Sequence, residues 1–217
     1  MSKKVAININ FDSFSEAFGY PKNFRDETYF KFLDEFILKL ELSDVKISFF
    51  IIGRDLLNPE IRSRVKYLSQ MGHEIGNHSY NHRMDLGSRN KNQIEYEVLK
   101  SHEIILNTTN KEPNGFVAPA WSTSKVLWDV LCENNYKYDS SLFPSIWLYP
   151  MIMKIFFNHL GNKKRLMEII SRKDYLYPFF FSSKPFIYKK SLKIMPLPNY
   201  SKIMVPFWHT LFFIFGS

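Results

Sequence analysis

The segment VKISFFII, residues 45–52, is a run of β-branched and aromatic residues closed by Gly53, the pattern of a strand covered on both faces. Helical spacing lies on either side of it. Between Asp26 and Leu42, Phe30, Leu33, Ile37 and Leu40 recur at helical intervals behind an acidic first turn. After the strand, Pro59 opens a second helical stretch through Ile61, Val65 and Leu68, which Gly72 stops. VAININF at residues 5–11 alternates as a strand, HEIGNH at 73–78 reads as another, and a helix is predicted from about Gln93 to Leu106. GFVAP, VLWDVLCENN and YKYDSS continue the strand, helix, strand rhythm. Strands separated by helices form parallel βαβ units, so the chain is expected to be α/β, with its working residues at the C-terminal ends of strands.

A chain of 217 residues, 45% hydrophobic and 17% aromatic, can bury a core and is expected to form a single domain over 1–217. Cys132 is its only cysteine, which excludes an internal disulfide. MSKKVAININF lacks the apolar core and small-residue cleavage site of a secretory signal, and no run of about 18 apolar residues occurs. The expected location is cytoplasmic, at the inner face of the membrane if the substrate is carried on lipid.

The formal charge of +8 favours anionic partners. All of it comes from residues 146–217, where eleven Lys/Arg face two acidic residues among aromatics, as in IWLYPMIMKIFF and YLYPFFFSSKPFIYKK. Three readings rank in order. The first is a solvated basic face with core aromatics between; the second is a peripheral membrane contact serving a lipid-linked sugar. Nucleic acid comes a distant third, since no binding motif for it is present.

GHEIGNHSYNH, residues 72–82, holds three of the six histidines. His78 and His82 are four apart in a polar segment just past a strand end, a spacing that can bring two imidazoles to one metal ion. Asp12, past the end of the first strand, is the natural third ligand. His73 is better placed to fix the strand, and His102 and His159 fall in helical contexts as surface residues.

SFFIIG, GHEIGNHSYNH, GFVAPAWS and YKYDSSLFP, in this order over roughly residues 4–144, resemble the motif set of the polysaccharide deacetylases of the NodB-homology type, carbohydrate esterase family 4. The resemblance implies an incomplete (β/α) barrel of about seven strands and metal-dependent removal of acetyl groups from N-acetylated sugars. It implies a divalent metal, zinc by the donor set, held by Asp12, His78 and His82. It also implies a carbohydrate partner. Aromatic faces stack on sugar rings, so Trp121 behind Pro119 is a candidate to line the sugar site, although a core tryptophan is the more frequent outcome. Residues 146–217 would be the divergent end of the barrel.

The chain departs from that pattern at its catalytic positions. Relatives carry two aspartates, adjacent or separated by one residue, as base and ligand. Here the stretch is Ile9, Asn10, Phe11, Asp12, Ser13. In the adjacent register Asp12 is the base and Ser13 replaces a ligand; in the spaced register Asp12 is the ligand and Asn10 replaces the base. Val117 stands where relatives place an arginine near the catalytic aspartate. The spaced register accounts for both substitutions, because an arginine facing a neutral amide would be a poorly paired charge. Asn10 can orient a water but cannot take its proton. The general acid is expected on a final strand as a histidine. His209 in FWHTLFFIFGS is the late candidate, unless the chain stops before that strand and the barrel is truncated. Asp139 either supports that acid or forms a turn before its serines. The leading expectation is a metal-dependent hydrolase acting on an N-acylated sugar of a polysaccharide or lipid-linked precursor. The alternative is a non-catalytic carbohydrate-binding barrel that kept the metal ligands and lost base and acid.

Overall fold

The computed structural model describes residues 7–13, 20–21, 24–43, 45–189 and 191–197, with the backbone of two short strands at 199–200 and 205–206. It groups into two compact units, each discontinuous in sequence: 1–82 with 97–114, and 83–96 with 115–217.

In the first unit, β1 (Asn8–Phe11), β2 (Ser48–Ile51) and β3 (Glu74–Asn77) pair in parallel in that order, with Asn10 opposite Phe50 and Phe50 opposite Gly76. The long apolar run around β2 is laddered over only four residues, the length over which both neighbours run beside it. Helix α1 (Glu27–Glu41) starts where the Asp26 carboxylate accepts from the backbone N–H of Thr28 at 2.8 Å and Tyr29 at 3.1 Å. Helix α2 (Pro59–Gln70) starts on the Asn58 side chain, which accepts from Glu60 N, with proline at its first position. Its end is taken over by Gly72 at a φ of 86°. Phe30, Leu33, Ile37 and Leu40 of α1 meet Phe11, Phe49 and Ile51 of the sheet. Each such side chain stabilises the unit by roughly 1.5–3 kcal/mol. His73 Nδ1 accepts from Ile47 N at 3.2 Å and its ring stands edge-on to Phe49, so it fastens β2 to β3.

Helix α3 (Lys91–Thr109) belongs to the second unit through Tyr96 and to the first from Glu97. The second unit also holds β4 (Gly115–Phe116), α4 (Lys125–Glu133), β5 (Tyr138–Asp139), α5 (Leu148–Asn158), α6 (Lys163–Ile170), β6 (Phe186–Tyr188) and β7 (Leu192–Ile194). β4, β5 and β7 run parallel, and β6 lies antiparallel on β7 at the edge. A separate pair, β8 (Asn199–Tyr200) and β9 (Val205–Pro206), is antiparallel. Three parallel strands in the first unit and four strands, β4 to β7, in the second give the α/β class and the seven strands expected, and among the described residues they do not close into a barrel.

Residues 146–197 carry their described lysines on an exposed face, as the reading ranked first from sequence expects, and depart from it only at the arginines. Both arginines are buried. Arg172 donates to Asp174 through two nitrogens at 3.0 and 2.9 Å and to the Ala120 carbonyl at 2.9 Å. Arg165 pairs with Glu168 at 2.8 Å. Asp174 further accepts from Ser88 Oγ and from Thr123 N, and Glu168 from Met84 N. A buried guanidinium is tolerable only when its donors are met in this way. Tyr177, Phe181, Phe186 and Tyr188 surround the Trp128 ring, fully buried on α4, at centroid distances of 5.0–5.9 Å. His102 and His159 are half-buried rather than surface residues; His159 Nδ1 bonds the Ile155 carbonyl at 2.7 Å, one helical turn back.

Candidate metal site in the first unit

Strand alternation sets up the site. Ile9 and Phe11 of β1 turn into the core against Phe49, so Asn8, Asn10 and then Asp12 point the other way. Asn10 is exposed on that face, two residues ahead of Asp12. Ser13 alternates back inward, where its hydroxyl donates to Asp55 Oδ2 at 2.5 Å. The carboxylate beside the histidines is therefore that of Asp12, while Ser13 is engaged with Asp55.

The histidines come from the turn after β3. His78 N continues the ladder to the Ile51 carbonyl at 2.9 Å, and the chain then turns sharply. Ser79 at a φ of 63° and His82 at 53° both lie in the left-handed region, which for residues with a side chain is strained by on the order of 1 kcal/mol or more. The turn is clamped on two sides. From the start of the segment after β2, Gly53 N and Arg54 N donate to the carbonyls of Ser79 at 3.0 Å and Tyr80 at 3.1 Å. From α3, the buried Glu97 carboxylate accepts from Tyr80 N at 3.1 Å, Asn81 N at 2.7 Å and Asn81 Nδ2 at 2.8 Å. Asn77 completes the clamp, accepting from Ser79 N and donating to the Val98 carbonyl, both at 2.9 Å. Gly53 is required by space: a Cβ there would stand 2.6 Å from Ser101 Cα on α3.

The outcome is a cluster of three donors. His78 Nε2 lies 3.8 Å and His82 Nε2 4.0 Å from Asp12 Oδ1, the imidazole centroids are 5.0 Å apart, and one ligand atom from each residue falls within 4.8 Å of the others. Tetrahedral zinc with bonds of about 2.0–2.1 Å sets donor atoms roughly 3.3 Å apart, so the cluster fits such an ion after a contraction of an ångström or so. Asp12 has the freedom for it, with 39% of its side-chain surface open. Even so, the protein packed around its carboxyl pushes it up to about 7, and a cation alongside would restore the charged form. Tyr29 of α1 feels the same charges: burial, then Asp55 and Asp12, hold its phenol well above the usual range.

Pro119, Trp121 and Asp139 lie in the second unit. Pro119 is buried, and Trp121 is half-buried with its ring on Phe143 at 5.2 Å. Ala120 and Trp121 have φ of 49° and 54°, a strained pair held where Arg172 grips the Ala120 carbonyl. Asp139 is fully buried and accepts from Trp128 Nε1 at 2.9 Å and from both the hydroxyl and the N–H of Ser141. Val117 is buried. His209 lies outside the described residues. Sequence reasoning missed Glu97, Asn77 and Asp55. Of these only Asn77 sits inside a recognisable motif, and nothing in the pattern QIEYEVLK separates Glu97 from a solvent-facing acid.

The family model for polysaccharide deacetylase matches residues 4–138, well over half of the sequence. The chain belongs to the polysaccharide deacetylase family. A peptidoglycan deacetylase of Helicobacter pylori is 39% identical to this family member over 79 residues, 36% of the chain and 27% of the relative. A peptidoglycan-N-acetylglucosamine deacetylase of Bacillus cereus is 27% identical over 134 residues, 58% of the chain and 45% of the relative. The chain thus spans between about a quarter and a half of the length of these relatives. Among solved structures, a CE4 family pseudoenzyme from Bacillus anthracis matches with a TM-score of 0.51 at 16% identity, covering 97% of this chain and 57% of that one. A mutant of that pseudoenzyme with restored enzymatic activity matches at 0.50 and 18% identity, over 88% of this chain and 55% of that one. These likenesses establish the shared fold.

Proposed function

We propose that this deacetylase-family chain holds a divalent metal, zinc by its nitrogen and oxygen donors, and hydrolyses the acetyl amide of an N-acetylated sugar in a polysaccharide of the peptidoglycan class or its lipid-linked precursor, at the cytoplasmic face of the membrane. The observation that carries the metal reading is the convergence of Asp12, His78 and His82 donor atoms within 4.8 Å. When bound, such an ion polarises an amide carbonyl and lowers the pKa of water towards 7. The protein's own part is positional. Glu97, Asn77 and the N–H groups of Gly53 and Arg54 fix the histidine turn, so the two imidazoles meet Asp12 without searching for it. Asn10, exposed beside Asp12 on the same strand face, is placed to hold a water by hydrogen bonding.

A second reading rests on Asn10 itself. An amide takes no proton at neutral pH and Val117 supplies no charge. By the resemblance to the family, these are the positions of the base and its partner, and both would be absent here. In this reading the chain binds a carbohydrate and a metal without turnover. One experiment separates the two: amine release from N-acetylated chitooligosaccharide or peptidoglycan fragments by zinc-loaded protein, compared with Asn10→Asp and with Asn10→Asp combined with Val117→Arg. Turnover by the natural chain that His78→Ala abolishes supports the hydrolase. Turnover only in the double variant supports the silent binder, and zinc content unaffected by His78→Ala excludes both.

A further inference from the structure

Residues 146–197 divide their charges unevenly between inside and outside. The two carboxylates, Glu168 and Asp174, are buried and paired with the buried Arg165 and Arg172. Every other charged side chain in the region is a lysine, and Lys163, Lys164, Lys173 and Lys193 are exposed. The region therefore shows solvent positive charge with no exposed carboxylate.

Helix α5 is apolar on both faces. Leu148, Met151 and Ile152 enter the core with Phe143 and Ile169. At about 100° per residue, Tyr149, Met153 and Phe157 form a stripe on the opposite side, and Met153 and Phe157 are each 58% exposed. The exposed Ile146 and Leu160 continue the stripe beyond either end of the helix. Helix α6 packs against α5 and repeats the arrangement, with Met167 and Ile170 exposed on the side that carries Lys163. Apolar patches of this kind, bordered by cations of one sign, mark a partner surface.

We infer that the outer faces of α5 and α6 dock on an anionic phospholipid bilayer. Tyr149, Met153 and Phe157 enter the boundary between head groups and acyl chains, and Lys163 and Lys164 meet the lipid phosphates. Charge selects this occupant. A second copy docking through the same face would set lysine against lysine with no carboxylate to answer it. Nucleic acid would use the lysines but leave Met153, Met167 and Ile170 without a role. With eleven residues, α5 is far shorter than a bilayer is thick, so it lies in the interface rather than crossing it. This inference extends the proposed membrane location and does not depend on the metal reading.

The test is co-sedimentation of the full chain with vesicles of phosphatidylcholine alone and of phosphatidylcholine mixed with phosphatidylglycerol. Binding to the mixed vesicles is expected, weakening as salt is raised. Met153→Glu with Phe157→Glu should abolish it, and Lys163→Ala with Lys164→Ala should reduce partition roughly thirtyfold. All four positions are exposed, so circular dichroism should match the natural chain; the lysine variant alone decides the matter if the glutamate variant does not fold. His78→Ala should bind vesicles like the natural chain, which separates failure here from failure of the metal proposal. Absent binding to mixed vesicles, equal binding by the lysine variant, or a solution dimer that the glutamate variant dissociates would each overturn the inference.

Discussion

Glu97 of α3 accepts a 2.7 Å hydrogen bond from the backbone N–H of Asn81, the residue immediately before His82. With its bonds to Tyr80 N and Asn81 Nδ2, one buried carboxylate satisfies three donors of the strained turn that presents both imidazoles. Glu97→Ala should therefore act on the site without touching it. Leaving these donors unmet is expected to lower stability by about 2–3 kcal/mol. Zinc affinity should fall roughly 10- to 100-fold, because loss of a group that orients ligands typically has that effect. Denaturant unfolding and a zinc competition titration measure the two effects; unchanged zinc affinity would show that the turn holds its shape unaided.

Gly53 faces Ser101 across a gap with no room for a methyl group. Gly53→Ala is expected to force β2 and α3 apart, with a loss of about 1–3 kcal/mol and a lower Tm. Since the obstructing atoms include Ser101 Cβ and Oγ, adding Ser101→Gly should recover part of that loss. A double variant no better than the single one would place the strain elsewhere.

Asp139 gives the fold a pH signature. Burial lifts its carboxyl from 3.8 to about 6 against the opposing hydrogen bonds from Ser141 and Trp128. The folded chain thus keeps a proton that the unfolded chain has released. Stability from this group is complete below pH 4 and declines as pH rises through 6, by up to roughly 3 kcal/mol. Asp139→Asn should remove that slope, read from unfolding free energies between pH 4 and 7. A slope that survives the substitution must come from other groups.

Arg172 and Asp174 form a buried bidentate pair that also reaches Ala120 and Thr123. Asp174→Ala leaves the guanidinium buried without its counter-ion and is expected to destabilise by about 3–5 kcal/mol. Arg172→Met with Asp174→Leu should be less harmful than Asp174→Ala, because no charge is then left uncompensated. Equal or larger loss in the double variant would contradict this reading.

What the sequence discloses follows from how local each cause is. Helices α1 and α2 are legible because their apolar spacing and their caps, Asp26 and Asn58, lie within the segments themselves. The Asp12, His78 and His82 cluster is legible for a similar reason: His78 and His82 share one turn, and Asp12 sits at the strand end where alternation aims it away from Phe11. Strand lengths are not legible, since pairing of β2 extends only as far as β1 and β3 do. Glu97 is hidden because its burial is decided by the donors of a turn sixteen residues earlier. Arg165 and Arg172 read as part of a positive surface, and only the folded chain shows that Glu168 and Asp174 take them inside.

The metal content of the purified chain, measured by atomic emission after zinc loading and desalting, tests the grouping of Asp12, His78 and His82 most directly. About one equivalent is predicted for the natural protein, with a sharp fall in Asp12→Ala, His78→Ala and His82→Ala that otherwise fold normally. Equal zinc in all four proteins, or none in any, would contradict it.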